Sequence, residues 1–178
     1  MLVTIVSGTN RPNNLSIKVA RLCQEYLSAQ GIHTELLDLA LLPREIAFDY
    51  LEDHSQTGFL PYQQIVDRST HFVFVAPEYN GSIPGILKLF IDACDYPGSF
   101  RGKSAALVGI AAGIGGNERG INHLQDILQY FGMEVFPERV TVAKIREKWS
   151  AEGGFKDETA EESLRKMLIA YATTVVEA

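Results

Sequence analysis

The stretch Ser7-Gly8-Thr9-Asn10-Arg11-Pro12-Asn13-Asn14-Leu15-Ser16 gathers hydroxyls, amides, one guanidinium and turn-forming residues. Upstream lies the apolar run Leu2 to Val6; downstream, Ile17, Val19, Ala20, Cys23, Tyr26 and Leu27 recur at helical spacing. A strand, a polar loop and a helix N-terminus in that order bring backbone N–H groups, hydroxyls and a positive charge to one point, which suits a phosphate. Ser16 is the expected N-cap of the helix and Gly31 its stop. From this segment alone, a capped surface loop with an exposed arginine is an equal alternative.

A second chemically loaded stretch is Ala76-Pro77-Glu78-Tyr79-Asn80-Gly81-Ser82-Ile83-Pro84-Gly85, between the apolar run His71 to Val75 and the helical pattern Ile86 to Asp95. A strand that stops at a turn-rich, aromatic-bearing loop and restarts as a helix exposes backbone donors and acceptors to a ligand in an open α/β sheet. A third is Ala111 to Gly120, where Gly113, Gly115 and Gly116 fall within four positions and permit close approach of backbone to a flat ligand. Asn117 is placed to cap the helix that runs through Phe131. Taken alone, this third stretch reads equally as a tight strand-to-helix turn.

Several named chemistries fail on spacing. Neither a Gly-x-x-x-x-Gly-Lys-Ser/Thr loop nor a Gly-x-Gly-x-x-Gly turn follows the first strand. Cys94 and Arg101 enclose six residues, one more than the phosphate loop of low-molecular-weight phosphatases needs. Asp92 and Asp95 read as solvated or capping charges. No Ser-His-Asp or Cys-His set and no metal-ligand set emerges.

The elements that must hold these loops follow from hydropathy. Strands are expected at Leu2–Val6, His33–Leu39, His71–Val75, Ser104–Ala111 and Glu134–Val142. Helices alternate with them, including a short one over Tyr62–Ser69 introduced by Pro61 and a closing one carrying Ala160, Leu164, Met167, Leu168, Tyr171 and Val175. Such alternation implies an α/β fold, a parallel sheet with helices on both faces, in which the loops after strands one, three and four meet on one edge. Residues 40–60 read as an irregular excursion, packed locally or sharing in an interface or pocket wall. The segment 144–156, with the only tryptophan, reads as a surface connection.

With 178 residues, no repeat and no linker, a single domain over 1–178 is expected. Hydrophobic residues at 46% and charged residues at 21% describe a globular chain without a run of about 20 apolar residues for a membrane span. A net charge of −6 disfavours nucleic acid as a partner. Cys23 and Cys94 sit in apolar helical patterns as buried free thiols, and no leader-like segment opens the chain, so a cytoplasmic location is expected.

Ser7-Gly8-Thr9-Asn10-Arg11 with Ser16, Pro77 to Gly85 with Leu87-Lys88 and Ile91-Asp92, Phe100-Arg101-Gly102-Lys103 and the Gly113 to Gly116 turn together resemble the NADPH-dependent FMN reductase family. That family has a flavodoxin-like fold, a three-layer sandwich around a five-stranded parallel sheet, and includes quinone, chromate and azo-dye reductases. The resemblance runs from Leu2 to about Val142. It implies FMN as cofactor and NAD(P)H as co-substrate, with Thr9, Asn14 and Ser16 as phosphate donors and Arg11 as the charge partner. It further implies that the backbone of Pro77, Glu78, Tyr79, Asn80 and Gly81 meets the pyrimidine edge of the isoalloxazine, and that the turn at Gly113 approaches from another side.

The chain departs from the family pattern at Asn14, where the family often carries Ser, and at Ala93 to Tyr96, where a Trp is common. A flavodoxin-like electron carrier is the alternative function; the arginine in the first loop counts against it. Homodimers or homotetramers with FMN near the interface are common in the family, implying that Tyr50, Phe59 or Tyr79 contributes to such a surface. A small-molecule electron acceptor completes the expected set of partners.

Overall fold

The computed structural model describes residues 1–49, 58–156 and 158–177. Five strands, β1 (Val3–Ser7), β2 (Thr34–Asp38), β3 (His71–Pro77), β4 (Ser104–Ile110) and β5 (Glu134–Val142), form one parallel sheet in the order β2-β1-β3-β4-β5. Between and after them run α1 (Leu15–Ala29), α2 (Leu60–Arg68), α3 (Gly85–Ala93), α4 (Glu118–Tyr130) and α5 (Glu158–Glu177). This is the flavodoxin-like α/β architecture expected from the sequence, with β3 extending two residues beyond the apolar run that suggested it.

Strand alternation divides the core in two. Val3 and Ile5, Val73 and Val75, and Ala106, Val108 and Ile110 face α1 and α5; Val6, Phe72, Phe74, Ala76, Ala105 and Leu107 face α2, α3 and α4. Because both faces are covered, the central strands read as nearly continuous apolar runs. Chain direction reverses around β1: the connection to β2 moves one way across the sheet and β3 returns to the other side. The helices that follow β1 and β3 therefore lie on opposite faces of the sheet, and a crevice opens at the edge where the loops leading into them meet.

β5 is an edge strand with a conspicuous irregularity. Its register against β4 jumps from Ala105↔Val135 to Leu107↔Arg139, so Phe136, Pro137 and Glu138 stand opposite Ala106 alone. Proline fits here because it has no N–H to offer a ladder.

Some expectations require correction. Trp149, expected on the surface, is buried; it bridges to Phe155 across a small hairpin, with ring centroids 5.1 Å apart, and joins the core beneath α5. Phe59 is 1% exposed and stacks on Tyr62, so it cannot contribute to an oligomer surface. Tyr50 lies outside the described residues. In the 40–60 segment, a 3-10 turn at Leu39–Leu41 and a helical turn at Ile46–Asp49 precede residues 50–57, which are likewise outside the description. Cys23 and Cys94 are both buried free thiols, as expected.

Candidate active site

Asn14, not Ser16, caps α1. Its extended backbone (φ −77°, ψ 157°) lets Oδ1 accept from Ile17 N–H at 2.8 Å, while Nδ2 donates to the Arg11 carbonyl at 2.7 Å. The Asn14 amide therefore braces the loop from both ends. Ser16, two positions further on, falls inside the first turn. It is 1% exposed as a residue, yet its hydroxyl has no partner among the described residues. The backbone N–H groups of Leu15 and Ser16 are likewise left open by the geometry of a helix start.

Thr9, also buried, connects this loop to the one after β3. Its Oγ1 accepts from Arg11 N–H at 3.3 Å and lies 2.7 Å from Tyr79 Oη. The Arg11 guanidinium sits over the Tyr79 ring, 4.6 Å from its centroid, and has no carboxylate partner among the described residues.

The loop after β3 is a reciprocal turn. Tyr79 N–H donates to the Ser82 carbonyl at 2.9 Å and Ser82 N–H to the Tyr79 carbonyl at 3.0 Å, with Asn80 at φ +51° and Gly81 at φ +76°. Positive φ at both central positions is what the tight I′ turn requires, and Asn-Gly is its preferred pair. Glu78 N–H is bound to the Ile110 carbonyl at 2.9 Å, so the backbone donors left open on this loop include Asn80 N–H, Gly81 N–H and Ile83 N–H. Ser82 Oγ lies 2.9 Å from His123 Nδ1 on α4, fixing the outer side of the turn.

The third loop is placed by Asn117 in a way the sequence did not suggest. It occupies the N-cap position of α4 in the left-handed region (φ +69°), but its side chain caps nothing. Instead Nδ2 donates to the Ala76 carbonyl at 2.9 Å, pinning the start of α4 to the end of β3. A Cβ at Gly113 would meet nothing within 4 Å, so this part of the turn faces open space.

These loops enclose a cavity of about 190 Å³ lined by Thr9, Arg11, Asn14, Ser16, Pro77, Glu78 and Tyr79 together with Pro12, Asn13, Leu15, Ile110, Ala111, Ala112, Ile145 and Arg146. Asn80 and Gly113 neighbour lining residues in the chain without lining the cavity themselves, and Gly81 lies one residue further on, also outside the lining. Arg146, in the helical turn Ile145–Lys148 after β5, was missed in the sequence, where its polar surroundings resemble an ordinary surface connection. An unpartnered hydroxyl, open N–H groups at the start of a 15-residue helix and guanidinium groups without carboxylates form a donor set that fits the phosphate of FMN.

Known proteins point the same way. An NAD(P)H-dependent FMN reductase of Pseudomonas aeruginosa is 31% identical over 147 residues, covering 78% of this chain and 76% of its own. A 2-hydroxy-1,4-benzoquinone reductase of a Burkholderia species is 25% identical, covering 97% and 95%. Among solved structures, a flavoenzyme NAD(P)H:(acceptor) oxidoreductase of Paracoccus denitrificans superposes with a TM-score of 0.77 at 27% identity, covering 97% of this chain and 95% of its own. The family model for NADPH-dependent FMN reductase matches residues 1–147. The chain therefore belongs to the NADPH-dependent FMN reductase family and is an oxidoreductase with FMN as cofactor and NAD(P)H as co-substrate.

Proposed function

We propose that the chain passes reducing equivalents from NAD(P)H, in a ping-pong cycle, to a small-molecule acceptor of the quinone, flavin or metal type. The observation that carries this reading is one cavity that gathers Arg11 and the open donors at the start of α1 beside Pro77, Glu78 and Tyr79 of the loop after β3. Relatives named as quinone reductases support the quinone class.

FMN, when bound, supplies a hydride-accepting N5 and a store for two electrons between the half-reactions. The protein's own residues bind and orient. Leu15 N–H, Ser16 N–H, the Ser16 hydroxyl and Arg11 would hold the phosphate; Thr9 and Tyr79 join that loop to the ring-side turn. Asn80 N–H and Gly81 N–H would face the pyrimidine edge, and the Gly113 turn would flank the ring. No side chain is required as acid or base.

We place the enzyme in the cytoplasm, in keeping with its buried free thiols, and as a homodimer or homotetramer, in keeping with exposed Phe48 (89%) and Leu41 (71%). Light scattering tests the assembly.

The deciding experiment is the visible spectrum after incubation with FMN and removal of the excess, followed by anaerobic NADPH. Retained flavin absorbance that bleaches is the expected result. Retained absorbance that neither NADPH nor NADH bleaches would point to a flavodoxin-like carrier, and a colourless protein would overturn the site.

A further inference from the structure

We propose that Arg146 is a specificity residue for the phosphorylated form of the flavin, contributing with Arg11 the positive charge that distinguishes FMN from riboflavin. The inference rests on the FMN site described above.

Three observations lead to Arg146. First, the turn that carries it is anchored to a distant element just before it: Lys144 N–H donates to the Gly113 carbonyl at 2.8 Å and Ile145 N–H to the Ala111 carbonyl at 2.9 Å, splicing the turn after β5 onto the turn after β4. Ile145, 4% exposed, locks the turn into the core. Lys144 adopts φ +51°, ψ 42° to make this possible, a left-handed conformation that a side chain other than glycine's adopts at a cost.

Second, the charges of the turn are sorted. Lys144 has Glu147 at 3.9 Å, and Lys148 has interactions of its own. Arg146 has no hydrogen bond, ion pair or ring contact among the described residues, and it is the cation of this turn that lines the cavity.

Third, Arg146 shares that cavity with Arg11, Asn14 and Ser16. Arg11 is held partly aside by the Tyr79 ring. A phosphomonoester carries a charge of about −1.5 to −2 at pH 7, more than one guanidinium balances. Two arginines approaching from different loops match that charge and bracket the group, whereas riboflavin has nothing for them to grip.

The test is equilibrium binding of FMN and of riboflavin to the apoprotein, followed by flavin fluorescence, for the wild type, Arg146→Gln and Arg146→Lys. FMN Kd is expected to rise roughly tenfold in Arg146→Gln, the scale of one exposed charge-assisted contact, with riboflavin Kd unchanged. Arg146→Lys should recover part of the loss, since it restores the charge without the planar fork. An unchanged FMN Kd, or equal weakening of FMN and riboflavin, overturns the proposal. So does unchanged FMN binding with a raised KM for NADPH but not NADH, which would assign Arg146 to the ribose phosphate of the nicotinamide cofactor. If the wild type binds neither flavin, the parent reading of the site falls and this inference falls with it; if the wild type binds FMN normally, only the role of Arg146 is at stake.

Discussion

Tyr79 Oη and Thr9 Oγ1, 70 residues apart in sequence, meet at 2.7 Å. With Arg11 stacked on the same tyrosine ring at 4.6 Å, the loop after β1 and the loop after β3 form one continuous wall. The part of the crevice that suits a phosphate is thereby held in fixed relation to the part that suits a ring.

That wall can be taken apart one group at a time. Tyr79→Phe deletes the hydrogen bond but keeps the ring beneath Arg11, so FMN affinity and folding stability should each fall by no more than about 1 kcal/mol. Arg11→Ala removes a charge and should weaken FMN binding by about 1.5–3 kcal/mol with little change in stability. Fluorescence titration with FMN separates the two, and an unchanged Kd in Arg11→Ala would remove that residue from the phosphate site.

Two glycines offer an opposite pair. At Gly109 a Cβ would lie 2.6 Å from the Gly116 carbonyl oxygen and 2.8 Å from Ile121 Cγ1, so Gly109→Ala should destabilise the fold by about 1–3 kcal/mol through overpacking. At Gly113 the same atom would meet nothing within 4 Å, so Gly113→Val should fold normally and yet exclude flavin by its bulk. Thermal melts with flavin occupancy test both; normal occupancy in Gly113→Val would show that the ring lies elsewhere.

His71 should give the fold a pH dependence. It is 6% exposed and packs edge-on against Tyr171 with centroids 5.9 Å apart, and burial lowers its pKa below the usual value. A depressed folded-state pKa means that the unfolded chain binds the proton more readily. The contribution of His71 is therefore complete above the ordinary histidine pKa of about 6.5 and is lost as pH falls through the lower, folded-state value. Urea unfolding between pH 7.5 and 5 should show declining stability, with a shallower decline in His71→Gln. Equal slopes in the two proteins would assign the effect to other groups.

Neither cysteine should react in the native state. Burial pushes the Cys23 thiol up to about 12, and Cys94, which donates to the Phe90 carbonyl at 3.2 Å, is also raised by burial. A thiol-specific chromogenic reagent at pH 8 should detect almost no thiol in the folded protein and two per chain in denaturant. Rapid native labelling would place one of them on an accessible surface.

What was legible in the sequence was whatever depended on near neighbours. The five strands could be read because β-branched and apolar runs end at polar loops, and the loop after β3 could be read as turn-rich, although the I′ turn formed by Asn80 and Gly81 was not singled out. The cap of α1 was missed by two residues because Asn14 and Ser16 both have capping chemistry; the choice depends on the Arg11 carbonyl being within reach of the Asn14 amide. Asn117 was correctly placed at the start of α4 but misread in its role, since its partner, Ala76, belongs to another strand. Arg146 and Trp149 were illegible for the same reason: the packing of Trp149 into the core with α5 and the splice of Lys144 to Gly113 are non-local contacts of a stretch that looks solvent-exposed residue by residue.

The irregular outer strand bears on how copies of this protein can meet. A neighbouring chain that tried to extend the sheet beyond β5 would encounter Pro137, which offers no amide hydrogen, inside a segment where three residues stand opposite one and the ladder is broken. Glu138 and Arg139, both exposed, would bring charge to the same approach. At the other border, Glu35 of β2 is engaged by Arg68, with Nη2 2.6 Å from Oε1. Strand-to-strand propagation is discouraged along the β5 border, leaving self-association to the helical and loop surfaces, where contacts can close into a finite complex instead of growing into a fibre.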